Sequence, residues 1–280
     1  MPRMIKQLLG LFGVHSRVEI PDDLWQGTIG AMPFLAARPA GDLARLRALA
    51  ARLLADKQMS GAGGLELSSQ MQVHIAAQAC LPILNLGMSW YRGWTSIVVY
   101  PDEFVVPRSV TDEDGVVHEY DEPIVGEAWD GGPLLLAWSD ARPDSAGRDQ
   151  PYNVVIHEFT HKIDLLDGDA NGVPPFTRAT HPDLDLRGWT TALDDALNRF
   201  RAELELIESG LPAELDPDDD AAGAHYAHLP LDPYAAQDEG EFFAVSSEAF
   251  FVDPARLAIA FPEWSRQLVL FFKQDPVAAR

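Results

Sequence analysis

The chain has 280 residues, 47% of them hydrophobic, enough for a sizeable buried core. Its 43 acidic and 21 basic residues leave a formal charge of -22, which argues against nucleic-acid and anionic-membrane binding, because phosphate contacts need clustered Lys and Arg. The single cysteine, Cys80, excludes an internal disulfide and a cysteine-rich zinc site, fits a reducing compartment and reads as a core residue.

Met1 to Gly13 is basic and then apolar, but the apolar run is short and no small-residue cleavage site follows, so it reads as mature protein with Ile5 to Phe12 in a packed terminal helix. No later stretch supplies the roughly 18 uninterrupted apolar residues of a membrane helix, and the expected location is the cytoplasm. From Asp42, read as an N-cap, Leu43, Leu46, Leu49, Ala50, Leu53 and Leu54 recur at helical spacing. Met59 to Gly64 breaks that pattern, and Ser68 to Asn85 reads as a second, deeply buried helix that Pro82 bends or ends.

Ser96 to Val106 is rich in Val, Ile, Tyr and Phe and reads as two short strands or one interrupted strand. Val116 to Tyr120, Pro123 to Val125 and Leu134 to Trp138 follow at strand length, with turn signals at Asp114-Gly115 and Gly131-Gly132. Leu134 to Trp138 fits either an edge strand that pairs with an extended peptide or a core strand. After Pro151 the pattern is helical over Tyr152 to Leu166, Leu186 to Ser209, Glu239 to Phe251 and Pro262 to Gln274, with an acidic, solvated loop at Glu214 to Asp220. The expected fold is one mainly helical α+β domain over 1–280: a helical part at about 1–95, a small, mostly antiparallel sheet at about 96–141, and a catalytic helical part at about 151–276.

The chemistry concentrates in His157-Glu158-Phe159-Thr160-His161. Residues four apart lie one turn above each other on a helix, so His157 and His161 can direct two imidazoles at one metal ion, with Glu158 beside it as general base. A zinc ion held there would polarise a carbonyl and lower the pKa of its water, which suits peptide hydrolysis. Val154, Val155, Ile156, Phe159 and Ile163 predict a buried helix, where unpartnered polar groups are costly. A polar core network of the two histidines is the plainer alternative, but it leaves the intervening Glu158 without a purpose.

Catalytic zinc takes three protein ligands and leaves a position for water. A metzincin pattern needs glycine at position 164 and histidine at 167, where the chain has Asp164 and Asp167, so Asp167 is a weak candidate. His225 and His228 lie in a polar stretch and read as surface residues. Glu241 and Glu248 share a downstream apolar helix; seven apart, they lie on roughly one face, and spacing does not choose between them.

The strings His157 to Asp164, Gly168-Asp169, Gly172-Val173-Pro174, Tyr234-Ala235-Ala236 and Glu241 to Glu248 resemble the Mlc titration factor A family. So do Cys80 to Leu84, Val99-Tyr100-Pro101, Phe104-Val105-Val106, Gly132-Pro133, Phe261-Pro262 and Gln274-Asp275-Pro276, so the likeness spans nearly the whole chain. The resemblance implies a cytoplasmic zinc peptidase of the gluzincin type, similar in its catalytic core to the anthrax lethal factor protease domain. It implies Glu241, seven residues after Tyr234, as third ligand, and Tyr234 as donor to the developing oxyanion rather than a merely packed tyrosine. Glu248 and Asp164 would then stand behind the ligands, Asp164 orienting a histidine. Val245 stands where the gluzincin pattern has an aspartate four residues after the third ligand. The implied activity is that of an aminopeptidase on a peptide or protein substrate, and the implied partner a transcriptional repressor of the Mlc type; charge and hydropathy argue against direct nucleic-acid contact and a membrane, and the sequence does not fix the oligomeric state, a monomer being assumed. The competing reading is a non-catalytic regulator that sequesters a transcription factor and keeps a structural metal site.

Overall fold

The computed structural model describes residues 19–111, 117–129, 131–143, 151–212, 215 and 222–278. The expectations for Ile5 to Phe12, for the Asp114-Gly115 turn and for the acidic run, Leu215 apart, lie outside these residues. Helix α1 (Asp22–Ala31) follows Pro21 and carries Asp22 and Asp23 in its first turn, where acids complement the helix dipole. It buries Trp25, Thr28 and Ile29 at helical spacing and is not among the elements read from the sequence. In α2 (Ala40–Asp56), Leu46, Ala50 and Leu53 are buried at helical spacing. Asp42 is no cap: it lies in the first turn and pairs with Arg45 at 2.9 Å, the helix starting directly after Pro39.

Strand β1 (Gln58–Gly61) comes next, and then α3 (Ser69–Cys80), capped by the Ser68 hydroxyl, which accepts from the Met71 N–H at 3.2 Å. The helix stops two residues before Pro82, which has no N–H to continue the ladder, although Leu81 itself keeps helical backbone angles. Strands β2 (Ser96–Tyr100), β3 (Phe104–Thr111), β4 (Val117–Ile124), β5 (Gly126–Ala128) and β6 (Leu134–Ala137) complete the sheet region.

The expectation of a mostly antiparallel sheet is corrected. The main sheet has the order β1-β2-β6-β5; β1 with β2 and β2 with β6 run parallel, and only β5 with β6 is antiparallel. Antiparallel pairing otherwise occurs in the separate β3–β4 hairpin. The parallel character escapes the sequence because β1, Gln-Met-Ser-Gly, has no apolar alternation, while α3 supplies the crossover that lets β2 lie parallel to it. All four residues of β6 are buried, so Leu134 to Ala137 forms a central strand and the edge falls to β5.

The second half is helical: α4 (Val154–Asp164), α5 (Leu186–Glu208), α6 (Glu239–Val252), α7 (Pro254–Ala260) and α8 (Pro262–Phe272). Helix α6 is apolar all round and buried along almost its whole length. Trp189, Phe243, Trp264 and Phe271 form an aromatic core beside it, with Trp189 and Trp264 edge to face at 4.8 Å. Helix α4 lies between α6, α3 and the β5–β6 side of the sheet, so most of its polar residues are buried, and His157 and His161 are partly exposed. No helix among the described residues is long and apolar enough to cross a membrane.

Candidate metal centre

Asn153 starts α4: its side chain accepts from the Ile156 N–H at 2.9 Å, and the helix then runs without interruption through both histidines. Asp238 starts α6 in the same way, accepting from the Glu241 N–H at 2.8 Å, which places Glu241 in the first turn. The two helices pack so that His157, His161 and Glu241 converge. Glu241 Oε2 lies 3.1 Å from His157 Nε2 and 3.4 Å from His161 Nε2, and the two Nε2 atoms are 3.1 Å apart. Glu241 Oε2 is buried yet makes no hydrogen bond of acceptable geometry, despite these short separations. The three donor atoms lie close enough together to share one metal ion.

Metal bonds of about 2.0–2.1 Å in tetrahedral array put their ligand atoms about 3.3 Å apart. The observed separations of 3.1, 3.1 and 3.4 Å match that spacing, so the residues present fit a small divalent cation. Charge points the same way. Burial alone would lower the His157 pKa, but contacts with Glu241 and Glu248 outweigh it and raise the pKa well above the ordinary value. Burial pushes the Glu241 carboxyl up, and the two imidazoles at its oxygen overcome this and hold it well below the usual carboxylate range. A proton on His157 and a metal ion at its Nε2 are alternative ways to supply the positive charge these carboxylates demand.

Glu248, two turns beyond Glu241, meets the other side of the same imidazole. Its Oε1 is 2.8 Å from His157 Nδ1, and its Oε2 accepts from the Asn153 backbone N–H. With Nδ1 as donor, His157 presents a bare Nε2 to the cluster, the tautomer a ligand histidine needs. Asn153 Nδ2 donates to Gln78 Oε1 at 2.7 Å, and Gln78 in turn donates to the His74 and Ala141 carbonyls, both at 3.1 Å.

Glu158 lies against Gly126 of β5, only 4% exposed, with Oε2 buried and unpartnered. Burial pushes its carboxyl up to about 7, against the pull of His157 and His161. Tyr234 sits on the 3-10 turn Pro233–Ala236, half exposed, its ring centroid 6.2 Å from that of His157. Asp164 departs from expectation: its Oδ2 accepts from the Gly172 N–H at 2.7 Å, and it makes no hydrogen bond with either histidine. Asp167 is exposed, and so are His225 and His228, as a surface reading requires. Sequence reasoning missed Asn153, Gln78 and Gly126. An asparagine just before an apolar helical run is a recognisable cap signal, whereas nothing in the sequence marks Gln78 or Gly126.

A mainly helical domain that brings two histidines of one helix and a glutamate of another to tetrahedral spacing defines a metal-binding protein, and the comparisons place its class. The family model of the glucose-regulated metallo-peptidase M90 matches residues 13–273, and the chain belongs to that family. Among individual relatives, the Mlc titration factor A of Salmonella arizonae is 36% identical over 258 residues, covering 91% of this chain and 92% of that protein. The Mlc titration factors A of Salmonella gallinarum and Salmonella choleraesuis are each 36% identical, over 249 and 255 residues, covering 88% and 90% of this chain and 84% and 86% of those proteins.

Proposed function

We propose that the chain is a zinc-dependent peptidase of the gluzincin type, acting as an aminopeptidase, with His157, His161 and Glu241 holding the metal. The observation that carries this reading is the pairing of three converging donor atoms with a buried, unpartnered carboxylate on the next residue, Glu158. A metal held only for stability has no use for such a group, whereas hydrolysis needs a base there. Zinc, when bound, polarises the substrate carbonyl and makes a water molecule acidic enough to attack it near neutral pH. Glu158 takes a proton from the attacking water and returns it to the leaving amine. A carboxyl whose pKa lies near neutrality suits both transfers. The Tyr234 hydroxyl, on a half-exposed ring near that of His157, donates to the oxygen on which negative charge develops. Glu248 keeps the His157 proton on Nδ1, so that Nε2 stays available.

A second reading rests on a different observation, the name of the relatives. Mlc titration factor A denotes a protein that titrates Mlc, and by that likeness this chain binds an Mlc-type repressor in the cytoplasm. The name speaks more directly for this regulatory role than for turnover, and the role does not require a base. The two readings separate in one experiment: metal analysis, hydrolysis of aminoacyl and peptide chromogenic substrates, and repressor binding, for wild type, Glu158→Gln and Glu241→Ala. The peptidase reading expects zinc and cleavage in wild type, zinc without cleavage in Glu158→Gln, and loss of zinc in Glu241→Ala. Zinc in wild type without cleavage of any substrate, alongside repressor binding that survives Glu158→Gln, removes the peptidase reading and leaves the regulator.

A further inference from the structure

Gly126 lies on β5, the edge strand of the main sheet, where β5 faces α4. A glycine within a strand is unfavourable and calls for a reason. Backbone conformation is not the reason, because Gly126 is not among the glycines with positive φ. Space is. A Cβ at position 126 would lie 2.7 Å from Glu158 Cγ and 2.8 Å from Cδ, and closer still to Oε1. Real Cβ atoms do not approach other heavy atoms so closely, so three atoms of one side chain would have to move together.

Neither wall can retreat easily. Antiparallel pairing with β6 holds β5 in register, Gly126 opposite Leu136. One turn after Glu158, the buried Lys162 amine donates to the Trp129 and Gly132 carbonyls of the β5–β6 connection, the latter at 3.0 Å. Lys162 thus ties the helix that bears Glu158 to the strand that bears Gly126. What yields to a new side chain is the Glu158 carboxylate, which is 4% exposed and fills the space that Gly126 leaves open.

We propose that Gly126 is the positioning residue for Glu158: its missing side chain is the recess that sets the carboxylate beside the metal ligands. The proposal rests on the peptidase reading for its catalytic consequence, and on packing alone for its steric content. Gly126 lies outside the ligand set, so a substituted chain still holds its metal while its base is displaced. A displacement of about 1 Å at a reacting group is enough to slow the chemistry about 100-fold.

The test uses the full-length, zinc-loaded chain with Gly126→Ala, Glu158→Ala and the double variant. Expected for Gly126→Ala are unchanged zinc content, kcat reduced about 100-fold and a KM near that of wild type. Thermal unfolding supplies a readout independent of activity: Gly126→Ala lowers Tm by about 2–4 °C or more in the wild-type background and clearly less with Glu158→Ala, because the competing side chain is gone. Equal Tm costs in the two backgrounds overturn the proposal, as do full activity or loss of zinc in Gly126→Ala. If wild type hydrolyses nothing, the peptidase reading fails separately, while the thermal cycle still decides whether Gly126 and Glu158 share one space.

Discussion

At the start of α4 the metal-facing residue is gripped side chain to side chain, whereas at its end the structure works through backbone packing. His157 is held by Glu248, Glu248 by the Asn153 N–H, and Asn153 by Gln78, a buried polar chain that fixes both the rotation of the imidazole and its tautomer. At the far end, Asp164 makes no hydrogen bond to a ligand. It holds the Gly172 N–H in a tight turn with φ 73°, and a Cβ at Gly172 would run into the Glu239 carbonyl. Gly240 is equally close to the other strand of this contact, where an added Cβ would come within 2.5 Å of the Ala170 carbonyl. Glu241 follows directly. One ligand is therefore oriented by hydrogen bonds, and another is located by how closely a loop and a helix terminus approach. The first arrangement breaks when one polar atom is removed; the second loosens by degrees.

The sharpest break of this comparison is Glu248→Ala. It strands the His157 Nδ1–H and the Asn153 N–H without an acceptor in a buried place, at a cost of about 1–3 kcal/mol for an unsatisfied group. It also frees His157 to adopt the wrong tautomer, and removal of such a partner lowers metal affinity about 10–100-fold. Competition titration with a chromophoric chelator, together with thermal unfolding of the metal-free chain, checks both effects. An unchanged zinc affinity would show that Glu248 is a packing residue only.

These two arrangements also divide what the sequence discloses from what it conceals. His157, Glu158 and His161 are legible because one helix fixes their relative placement, and the buried apolar positions around them mark that helix. Glu241 and Glu248 lie on one face two turns apart; spacing leaves them equivalent, and the packing of α6 against α4 assigns one to Nε2 and the other to Nδ1. Helices α4, α5, α6 and α8 are readable to within a few residues because their caps and apolar positions are local, whereas α7 is not among the elements read from the sequence. The sheet is not: β1 has no apolar alternation, and its parallel partner is reached only across α3. Gly126 and Gly172 escape for the same reason, since a glycine's purpose depends on a neighbour distant in the chain.

A smaller effect is expected at the other end of α4. Asp164→Ala removes the acceptor for Gly172 and relaxes the turn against which α6 begins, so Glu241 loses precision rather than its place. Zinc affinity should fall several-fold, less than for Glu248→Ala, and Asp164→Asn, which keeps an oxygen for the Gly172 N–H, should restore most of it. Chelator competition on the three proteins decides the matter. If alanine and asparagine weaken binding equally, the charge of Asp164 acts on the metal directly and the backbone account is wrong.

Wild type and the Asp164→Asn variant also differ in their expected response to pH. Burial raises the Asp164 carboxyl from 3.8 to about 7, against the hydrogen bond from the Gly172 N–H and the pull of His161. Between about pH 4 and pH 7 the folded chain therefore holds a proton at Asp164 that the unfolded chain has released. Stability from this group is fully present below about pH 4 and declines as pH rises through about 7, because the unfolded state binds fewer protons over that window. Asparagine cannot ionise and carries no such slope. At pH 4 the two chains should be nearly alike, each offering an acceptor to Gly172, and above pH 7 the metal-free Asp164→Asn chain should be the more stable. Working without metal matters, because His157, Glu158 and Glu241 titrate in both proteins and cancel in the difference. Parallel stability curves from pH 4 to 8 would mean that Asp164 stays ionised when folded, and that its second oxygen, Oδ1, buried without a hydrogen-bond partner, is more favourably placed than its surroundings indicate.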